Sequence, residues 1–303
     1  MLAFSYRVLC DTVFLHEQYQ FTHDSFSKQQ ANEMSKLMIQ KILAGMICVL
    51  LGPWSFHEAC VEDPIQLKVL CYNIHYGQGM DGEYDIPRLA KVISDQQPDI
   101  VALQEVDVAV RRSGQVHQAQ KLAELTGMKV RFGPTQHYEG GLFGNAVLTN
   151  LPIEDVHIQP LPYSESTPEK TTYPRAAIAV KVVLPNGKLL KVISTHFQHN
   201  VEEDRVKEAT AINRFFPRDD LPTILAGDMN ATPDSEPVKI LRKQWELAID
   251  EAKTPSAPSI KPRSRIDYIF YRGSFLELIH SEVIAEEMAS DHRPVLAIFE
   301  LLD

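Results

Sequence analysis

Short apolar runs alternate with amphipathic stretches along most of this chain, and the two patterns predict different elements. Continuous apolar runs bounded by turn residues are typical of buried strands, whereas apolar positions about 3.6 residues apart are typical of helices. The pattern predicts strands at Leu67–Ile74, Ile100–Leu103, Ala176–Leu184, Leu189–Thr195, Thr223–Ala226, Asp267–Tyr271 and Val295–Leu301. It predicts helices at Asp85–Asp95, Gln115–Thr126 and Glu202–Phe216.

The order of these elements indicates mixed sheets. Pro185-Asn186-Gly187 joins two of the predicted strands, and Asn-Gly readily takes the positive φ of a β-hairpin turn. A hairpin places antiparallel strands in a chain whose other strands are separated by helices. We therefore expect an α/β protein of the α+β type rather than a simple parallel, doubly wound sheet.

Most of the apolar runs end in a carboxylate, an amide or an imidazole. Ionised groups are seldom buried without a partner or a metal, so packing alone does not explain this arrangement. The set is rich in oxygen ligands and lacks cysteine, which favours a hard cation such as Mg²⁺ or Mn²⁺ over zinc. Its members are Asn73, Glu105, His196, Asp228, Asn230, Asp267, Asp291 and His292.

Several of these residues lie in short motifs that occur in a fixed order. They are Gly227-Asp228-Met229-Asn230, Arg265-Ile266-Asp267-Tyr268 and Ser290-Asp291-His292, preceded by the strand ends at Asn73, Glu105 and His196. With them the chain from Leu67 to Leu302 resembles the endonuclease/exonuclease/phosphatase superfamily, which is DNase I-like. The resemblance implies a four-layer sandwich, in which two mixed β-sheets pack face to face with helices outside.

The resemblance also implies roles for individual residues. Asn73, Glu105 and Asp291 match metal ligands, and the metal would be Mg²⁺ or Mn²⁺. His196, Asp228, Asn230, Asp267 and His292 match catalytic residues, while Arg175 and Asn145 match residues that contact substrate. The implied activity is divalent-metal-dependent hydrolysis of a phosphoester, with a phosphodiester as the expected substrate and one-step attack of water on phosphorus.

Each residue also has a structural alternative. Asn73 could cap a turn, Glu105 could pair with Arg111 or Arg112, and Asp267 could pair with Arg265. Arg175 could be a solvated arginine at the start of a strand, and Asn145 could form a turn. His75 could be a structural hydrogen-bond partner, and Tyr138 could be a plain loop tyrosine. Two other protein classes also stay open, a binding module that has lost the chemistry and a protein with a structural zinc or calcium ion.

Composition and charge limit the partners. The chain has 303 residues, of which 44% are hydrophobic and 23% charged, enough for one large domain with a sizeable core. Its formal net charge of −10 argues against tight nonspecific adhesion to nucleic acid. We expect a monomer that turns over a phosphoester substrate, either nucleic acid, phospholipid or inositol phosphate, without a stable nucleic-acid complex.

The N-terminal segment has the pattern of a secretory signal. Lys36 and Lys41 precede an apolar core at 42–51, and a small residue follows at Ala59, as expected for the charged region, apolar core and cleavage zone of such a signal. We predict an upstream extension at 1–33, a signal peptide or N-terminal anchor at 34–60, and the hydrolase domain at 61–303. The protein would be exported, periplasmic or extracellular, and Cys60 leaves lipidation open as an alternative.

Overall fold

The structure is a computed structural model, and it describes residues 65–219, 221–250 and 252–302. The predicted extension at 1–33 and signal segment at 34–60 lie outside the described residues. Among the residues that are described, the helices are too short or too polar to cross a membrane.

In the described part of the chain, twelve strands form two sheets of six, and both sheets mix parallel and antiparallel pairs. The first has the order β11-β12-β1-β2-β4-β3 and the second the order β5-β6-β7-β8-β10-β9. The strands are β1 Gln66–Asn73, β2 Ile100–Val108, β3 Lys129–Tyr138, β4 Gly141–Thr149, β5 Ile153–Leu161, β6 Arg175–Val183, β7 Leu189–His196, β8 Thr223–Asp228, β9 Glu246–Ala248, β10 Asp267–Arg272, β11 Leu276–Val283 and β12 Val295–Leu301.

The described residues include four α-helices. They are α1 Ile86–Gln96, α2 Gln118–Thr126, α3 Glu202–Phe215 and α4 Glu236–Leu241, and a 3-10 turn follows β1 at His75–Gly77. Asp85 caps α1, because its carboxylate accepts the backbone N–H of Arg88 at 2.9 Å, as N-cap residues do. Gly127 ends α2 in the left-handed conformation that glycine tolerates.

Among the described residues, three apolar clusters hold the sheets and helices of the fold together. One lies between the sheets and includes Val69 from β1 and Ile178 from β6. A second joins the outer face of the first sheet to α1 and α2, and a third joins the second sheet to α3 and α4. The predicted four-layer sandwich of two mixed sheets with helices outside is confirmed.

The strand register places polar residues together at one end of the second sheet. His196 ends β7 directly opposite Asp228, which ends β8. Asp228 in turn lies opposite Asp267, the first residue of β10. In the first sheet, Asn73 ends β1 opposite Gln104 of β2. Because these rows lie at strand ends, their polar side chains meet at one edge of the packed core, although they are themselves buried.

Candidate active site

Close contact between β7 and β8 fixes the spacing of His196 and Asp228. Gly227 precedes Asp228, and a Cβ atom at Gly227 would overlap the backbone carbonyl oxygen of Thr195. Only glycine lets the two strands approach this closely. The glycine of the Gly227-Asp228 motif therefore sets the position of the carboxylate that follows it.

Glu105 reaches the site through an irregularity in β2. The register between β2 and β4 shifts between Leu103 and Val106, and Glu105 has a φ of 58°. A β-bulge of this kind turns one side chain away from the regular alternation of a strand. Positive φ is unfavourable for a residue with a Cβ atom, so this conformation is one that functional sites tend to retain.

Asn73 connects the two sheets at the site. Its amide nitrogen donates to Glu105 Oε1 and to Asp228 Oδ2, each at 3.1 Å. Its amide oxygen accepts the backbone N–H of His75 at 3.0 Å, so the turn-capping alternative is also realised. One side chain thus holds a carboxylate from each sheet and shapes the turn that follows β1.

The loop before β12 supplies Asp291 and His292, and two serines anchor it. Ser290 Oγ donates to the backbone oxygen of Asn73 at 2.7 Å, and the backbone N–H of Ser259 donates to the backbone oxygen of Asp291 at 2.7 Å. The loop is therefore fixed against the end of β1 and against the segment that precedes β10. Asp291 keeps a partly exposed carboxylate, 3.9 Å from His75 Nε2.

These residues surround one open cavity of about 440 Å³, within the range typical of small-molecule sites. Of the residues predicted to act in the site, Glu105, Arg175, His196, Asp228, Asn230, Asp291 and His292 line it. The rest of the lining consists of His75, Tyr76, Arg112, Gln136, Tyr138, Phe143, Tyr173, His199 and Ile266. Asn73 and Asp267 lie behind this lining and bond to it, and Asn145 bonds the backbone of Ala176, next to Arg175.

His292 and Asp267 form a buried pair. His292 Nδ1 lies 2.9 Å from Asp267 Oδ2, and the same oxygen accepts Ser256 Oγ at 2.6 Å. Burial alone would lower the pKa of His292, but the carboxylates of Asp267 and Asp228 outweigh it and raise that pKa well above its usual value. His292 is therefore an imidazolium at neutral pH, with Nε2 3.8 Å from Asp228 Oδ2.

Asp228 is the carboxylate at the centre of the site. Burial, followed by repulsion from Asp267, raises its pKa to about 7. Its Oδ1 accepts the backbone N–H of Asn230 at 2.8 Å, and Asn230 has a φ of 47°. A carboxylate that titrates near neutral pH can take up a proton from a neighbouring water molecule.

His196 has the opposite protonation state. Burial, with a contribution from the Arg175 cation, lowers its pKa well below the usual value, so its ring is neutral. The amide nitrogen of Asn230 lies 3.0 Å from His196 Nε2 and can only donate, which leaves the proton on Nδ1. Within the described part of the chain, His196 Nδ1 and Arg175 Nε have no hydrogen-bond partner although both are buried.

Glu208 of α3 is buried below this part of the lining. Its Oε2 accepts the backbone N–H of Gln198 at 2.8 Å. Burial raises its pKa to about 7, although that hydrogen bond and the nearby Arg175 cation both oppose the shift. A second ionisable group next to the cavity therefore changes charge near neutral pH.

The structure decides several of the alternatives. Arg112 binds Asp107 with two hydrogen bonds of 2.9 and 3.0 Å, not Glu105. Arg265 donates to Asp250 Oδ1 at 3.1 Å and to the backbone oxygen of Asp267, so it leaves the Asp267 carboxylate to His292. The interpretation of Arg175 as a solvated arginine is wrong, since it is only 6% exposed.

Asn145 lies in β4 rather than in a turn. It is buried, and its amide nitrogen donates to the backbone oxygen of Ala176 at 2.9 Å. Ala176 follows Arg175, so Asn145 holds the strand that carries the arginine. Tyr138 lies at the end of β3 and lines the cavity, which favours the substrate-facing interpretation over that of a plain loop residue.

Two groups of ligands could hold a divalent cation. The ligand atoms of Asp228, Asp267 and His292 lie within 4.8 Å of one another, but Asp267 Oδ2 and His292 Nδ1 already bind each other. Glu105 and Asp291 face the cavity with oxygen atoms, next to Asn73. This second group fits Mg²⁺ or Mn²⁺ better, because both ions prefer carboxylate and carbonyl oxygen ligands with water completing the shell.

The sequence did not point to some of the residues that form the site. Ser256, which bonds Asp267, lies in a proline-rich loop and has no motif of its own. None of the described residues of that loop, 252–265, lines the cavity, whereas the following Ile266 does. In the sequence, the two consecutive arginines Arg111 and Arg112, a few residues after Asp107, could have indicated the ion pair between Arg112 and Asp107.

Comparisons with known proteins agree with this geometry. A family model described as the endonuclease/exonuclease/phosphatase family matches residues 70–292. The uncharacterized protein YbhP of Escherichia coli K12 is 29% identical over 216 residues, which are 68% of this chain and 75% of YbhP.

Solved structures share the fold at low sequence identity. An endonuclease/exonuclease/phosphatase protein from Beutenbergia cavernae aligns with a TM-score of 0.65 and 23% identity, over 78% of this chain and 72% of that one. The mannosyl-6-phosphatase Bt3783 of Bacteroides thetaiotaomicron aligns with a TM-score of 0.63 and 18% identity, over 78% of this chain and 100% of that one.

Proposed function

The chain belongs to the endonuclease/exonuclease/phosphatase family, whose members are generally hydrolases that use divalent metal ions, and from this membership we propose that it hydrolyses phosphoesters with the help of Mg²⁺ or Mn²⁺. The observation that carries the proposal is the convergence of buried and half-buried ionisable groups from both sheets on one cavity. Packing gives no reason to bring Glu105, Asp228 and His292 together. A phosphoryl group and its cation would satisfy them.

The residues divide into a metal side and a phosphate side. Glu105 and Asp291, with Asn73 beside them, would hold the cation. When bound, a divalent cation neutralises charge on phosphoryl oxygens and makes a nearby water easier to ionise. On the other side the His292 cation, the Arg175 guanidinium and other N–H donors of the lining would bind the nonbridging oxygens.

Proton transfer completes the reaction. Asp228 would orient the attacking water and accept its proton as the new bond to phosphorus forms. The bond from phosphorus to the ester oxygen breaks in the same step, and the leaving oxygen recovers a proton from solvent or from an acid in the lining. A pKa of about 7 suits a base that works near neutral pH.

A phosphodiester is the expected substrate, and a phosphomonoester is the second candidate. The mannosyl-6-phosphatase of the same fold supports the second. The net charge of −10 weighs against extended nucleic acid, which binds most proteins through basic surfaces. A catalytically inactive binding module or a structural zinc or calcium protein would not require His292 to be held as a cation beside Asp228.

The test is a panel of phosphoesters with Mg²⁺ and Mn²⁺. It should contain plasmid DNA, RNA, bis-p-nitrophenyl phosphate, p-nitrophenyl phosphate, sphingomyelin and inositol phosphates. Replacement of Glu105, Asp228 or His292 by alanine should lower kcat by roughly 100-fold or more on every substrate that is hydrolysed. Lys91, an exposed helix residue, provides the control Lys91→Ala. Near-native turnover in all three variants would contradict the assignment.

We also propose that the protein acts outside the cytoplasm, as a monomer or anchored by its N-terminal segment. The support is the signal-like pattern at 34–60 alone. N-terminal sequencing of protein from its native host, combined with cell fractionation, should find a mature chain that begins near Cys60. A cytoplasmic chain that still carries Met1 would refute this proposal and leave the hydrolase proposal intact.

A further inference from the structure

One wall of the cavity is made of planar side chains that the proposed reaction does not use. The guanidinium carbon of Arg112 lies 3.7 Å from the ring centroid of Tyr76, 4.5 Å from that of Tyr138 and 5.4 Å from that of Phe143. We call these four residues the planar wall. All of them line the cavity; Tyr138 and Phe143 lie on strands of the first sheet, Tyr76 in the turn after β1 and Arg112 in the turn after β2.

The charge of Arg112 is already satisfied. Its Nε and Nη2 atoms bind the two oxygens of Asp107, a carboxylate that is fully buried. A guanidinium held by two parallel bonds keeps its plane fixed and loses much of its attraction for a further anion. Arg112 is therefore better suited to hold the two tyrosine rings in place than to bind phosphate, a task that Arg175 can perform.

Backbone geometry also holds the wall in position. Tyr76 has a φ of 42° and the preceding His75 a φ of 46°, both unusual for residues with a side chain. Gln118 of α2 donates to the backbone oxygen of Tyr76 at 2.6 Å. The same residue accepts the backbone N–H of Asp107 at 2.9 Å. One glutamine thus fixes both Tyr76 and the carboxylate that orients Arg112.

From this arrangement we propose that the planar wall is a specificity determinant, which stacks against a ring carried by the leaving alcohol next to the phosphoester. The proposal rests on the proposed hydrolase function and adds the substrate class. Tyrosine faces and guanidinium planes bind nucleobases by stacking, and they also pack against sugar rings. The shared chemistry is a ring beside phosphate, and its two sources are a nucleoside and a hexose.

Other phosphoesters fit the lining less well. Ile266 is the single aliphatic side chain in the lining among the described residues, so a lipid tail would find few apolar partners there. An inositol polyphosphate needs several cations, whereas the cationic side chains of this lining are Arg112, which is paired with Asp107, Arg175 and His292.

The experiment compares three phosphates of primary alcohols: glycerol 3-phosphate, a hexose 6-phosphate and a nucleoside 5′-monophosphate. Each is assayed as the monoester and as its methyl diester. For the wild type we expect kcat/KM to be about 10-fold or more higher for at least one ring ester than for the glycerol ester, the scale of one stacking contact. Preference for the nucleoside or for the hexose identifies the source of the ring.

The variants Tyr76→Leu and Tyr138→Leu should bring that ratio close to one. Arg112→Lys should do the same, because lysine keeps the charge but loses the plane. Since Arg112→Lys could also weaken folding, the tyrosine variants carry the test on their own. Arg111→Gln, at the exposed neighbouring position, and Tyr163→Leu, at an exposed tyrosine outside the lining, should keep the wild-type ratio.

Binding in EDTA separates failure of this proposal from failure of the hydrolase function. Calorimetric titration with the same three monoesters measures ring preference without turnover. Hydrolysis without a ring preference overturns the planar-wall proposal and leaves the hydrolase function standing. If no ester is hydrolysed, tighter binding of a ring ester that is lost in Tyr76→Leu still supports the wall, and equal or undetectable binding overturns it.

Discussion

Replacing Glu208 by glutamine should make the folded protein more stable at alkaline pH. Burial raises the pKa of Glu208 from 4.5 to about 7, so the folded protein retains a proton that the unfolded chain releases between these pH values. The stability of the wild type therefore falls as pH rises through this window and levels off above it. Glutamine resembles the protonated acid and cannot ionise.

The magnitude follows from the two pKa values. A shift of one pKa unit corresponds to about 1.4 kcal/mol. Ionisation of Glu208 should therefore cost the folded state about 3 kcal/mol at pH 8. The shifted pKa already includes the attraction between Glu208 and Arg175. The side chain is fully buried, so solvent does not screen this cost. The free energy of unfolding of Glu208→Gln, relative to the wild type, should rise by about this amount between about pH 4.5 and pH 8.

Urea unfolding in EDTA at the two pH values measures this difference. Glu203→Gln is the matched control, since it makes the same change of side chain on the same helix at an exposed position. Comparison with the wild type also cancels the contribution of Asp228, whose raised pKa acts in the same direction. A difference that stays constant with pH would refute the reasoning. A variant that becomes less stable than wild type at pH 8 would mean that the attraction between ionised Glu208 and Arg175 outweighs the cost of burial.

Three further predictions concern the site itself. Gly227→Ala should destabilise the fold by about 1–3 kcal/mol and lower kcat, because β7 and β8 must move apart to admit a methyl group. Thermal melts with turnover assays check this, and an unchanged melting temperature would contradict it. Ser256→Ala removes the hydroxyl that bonds Asp267 and should cost about 1–3 kcal/mol of stability together with part of kcat, whereas Ser256→Thr should keep more of both. EDTA should abolish hydrolysis, and Mg²⁺ or Mn²⁺ but not Zn²⁺ should restore it; full activity in excess EDTA would argue against the ligand assignment.

The sequence predicted the central strands better than the edge strands. β1, β7, β8, β10 and β12 lie inside the sheets, and their continuous apolar runs were visible. The edge strands β3, β5, β9 and β11 were missed. β5, for example, exposes most of its residues, so its sequence lacks the apolar pattern that burial imposes. The central strand β4 was also missed, because its Gly144-Asn145 pair resembles a turn.

The site was partly predictable for a similar reason. A polar residue at the end of an apolar run is visible in the sequence, and this feature identified Asn73, Glu105 and Asp228. The strand β2 was expected to end at Leu103 but continues to Val108 through the bulge at Glu105. Contacts that depend on distant segments, such as Ser256 with Asp267 or Arg112 with Tyr76, leave no local pattern to detect.

The position of β12 has a consequence for how the protein is made. β12 pairs with β1 and with β11. The sheet that contains the first described strand is therefore complete only after the last strand has been added. Asp291 and His292 lie on the loop that leads into β12, near the C-terminal end of the domain. On the ribosome, therefore, the residues proposed to bind metal and phosphate can come together only when nearly the whole domain has been synthesised. Chains that end before Asp291 should therefore lack hydrolytic activity towards phosphoesters.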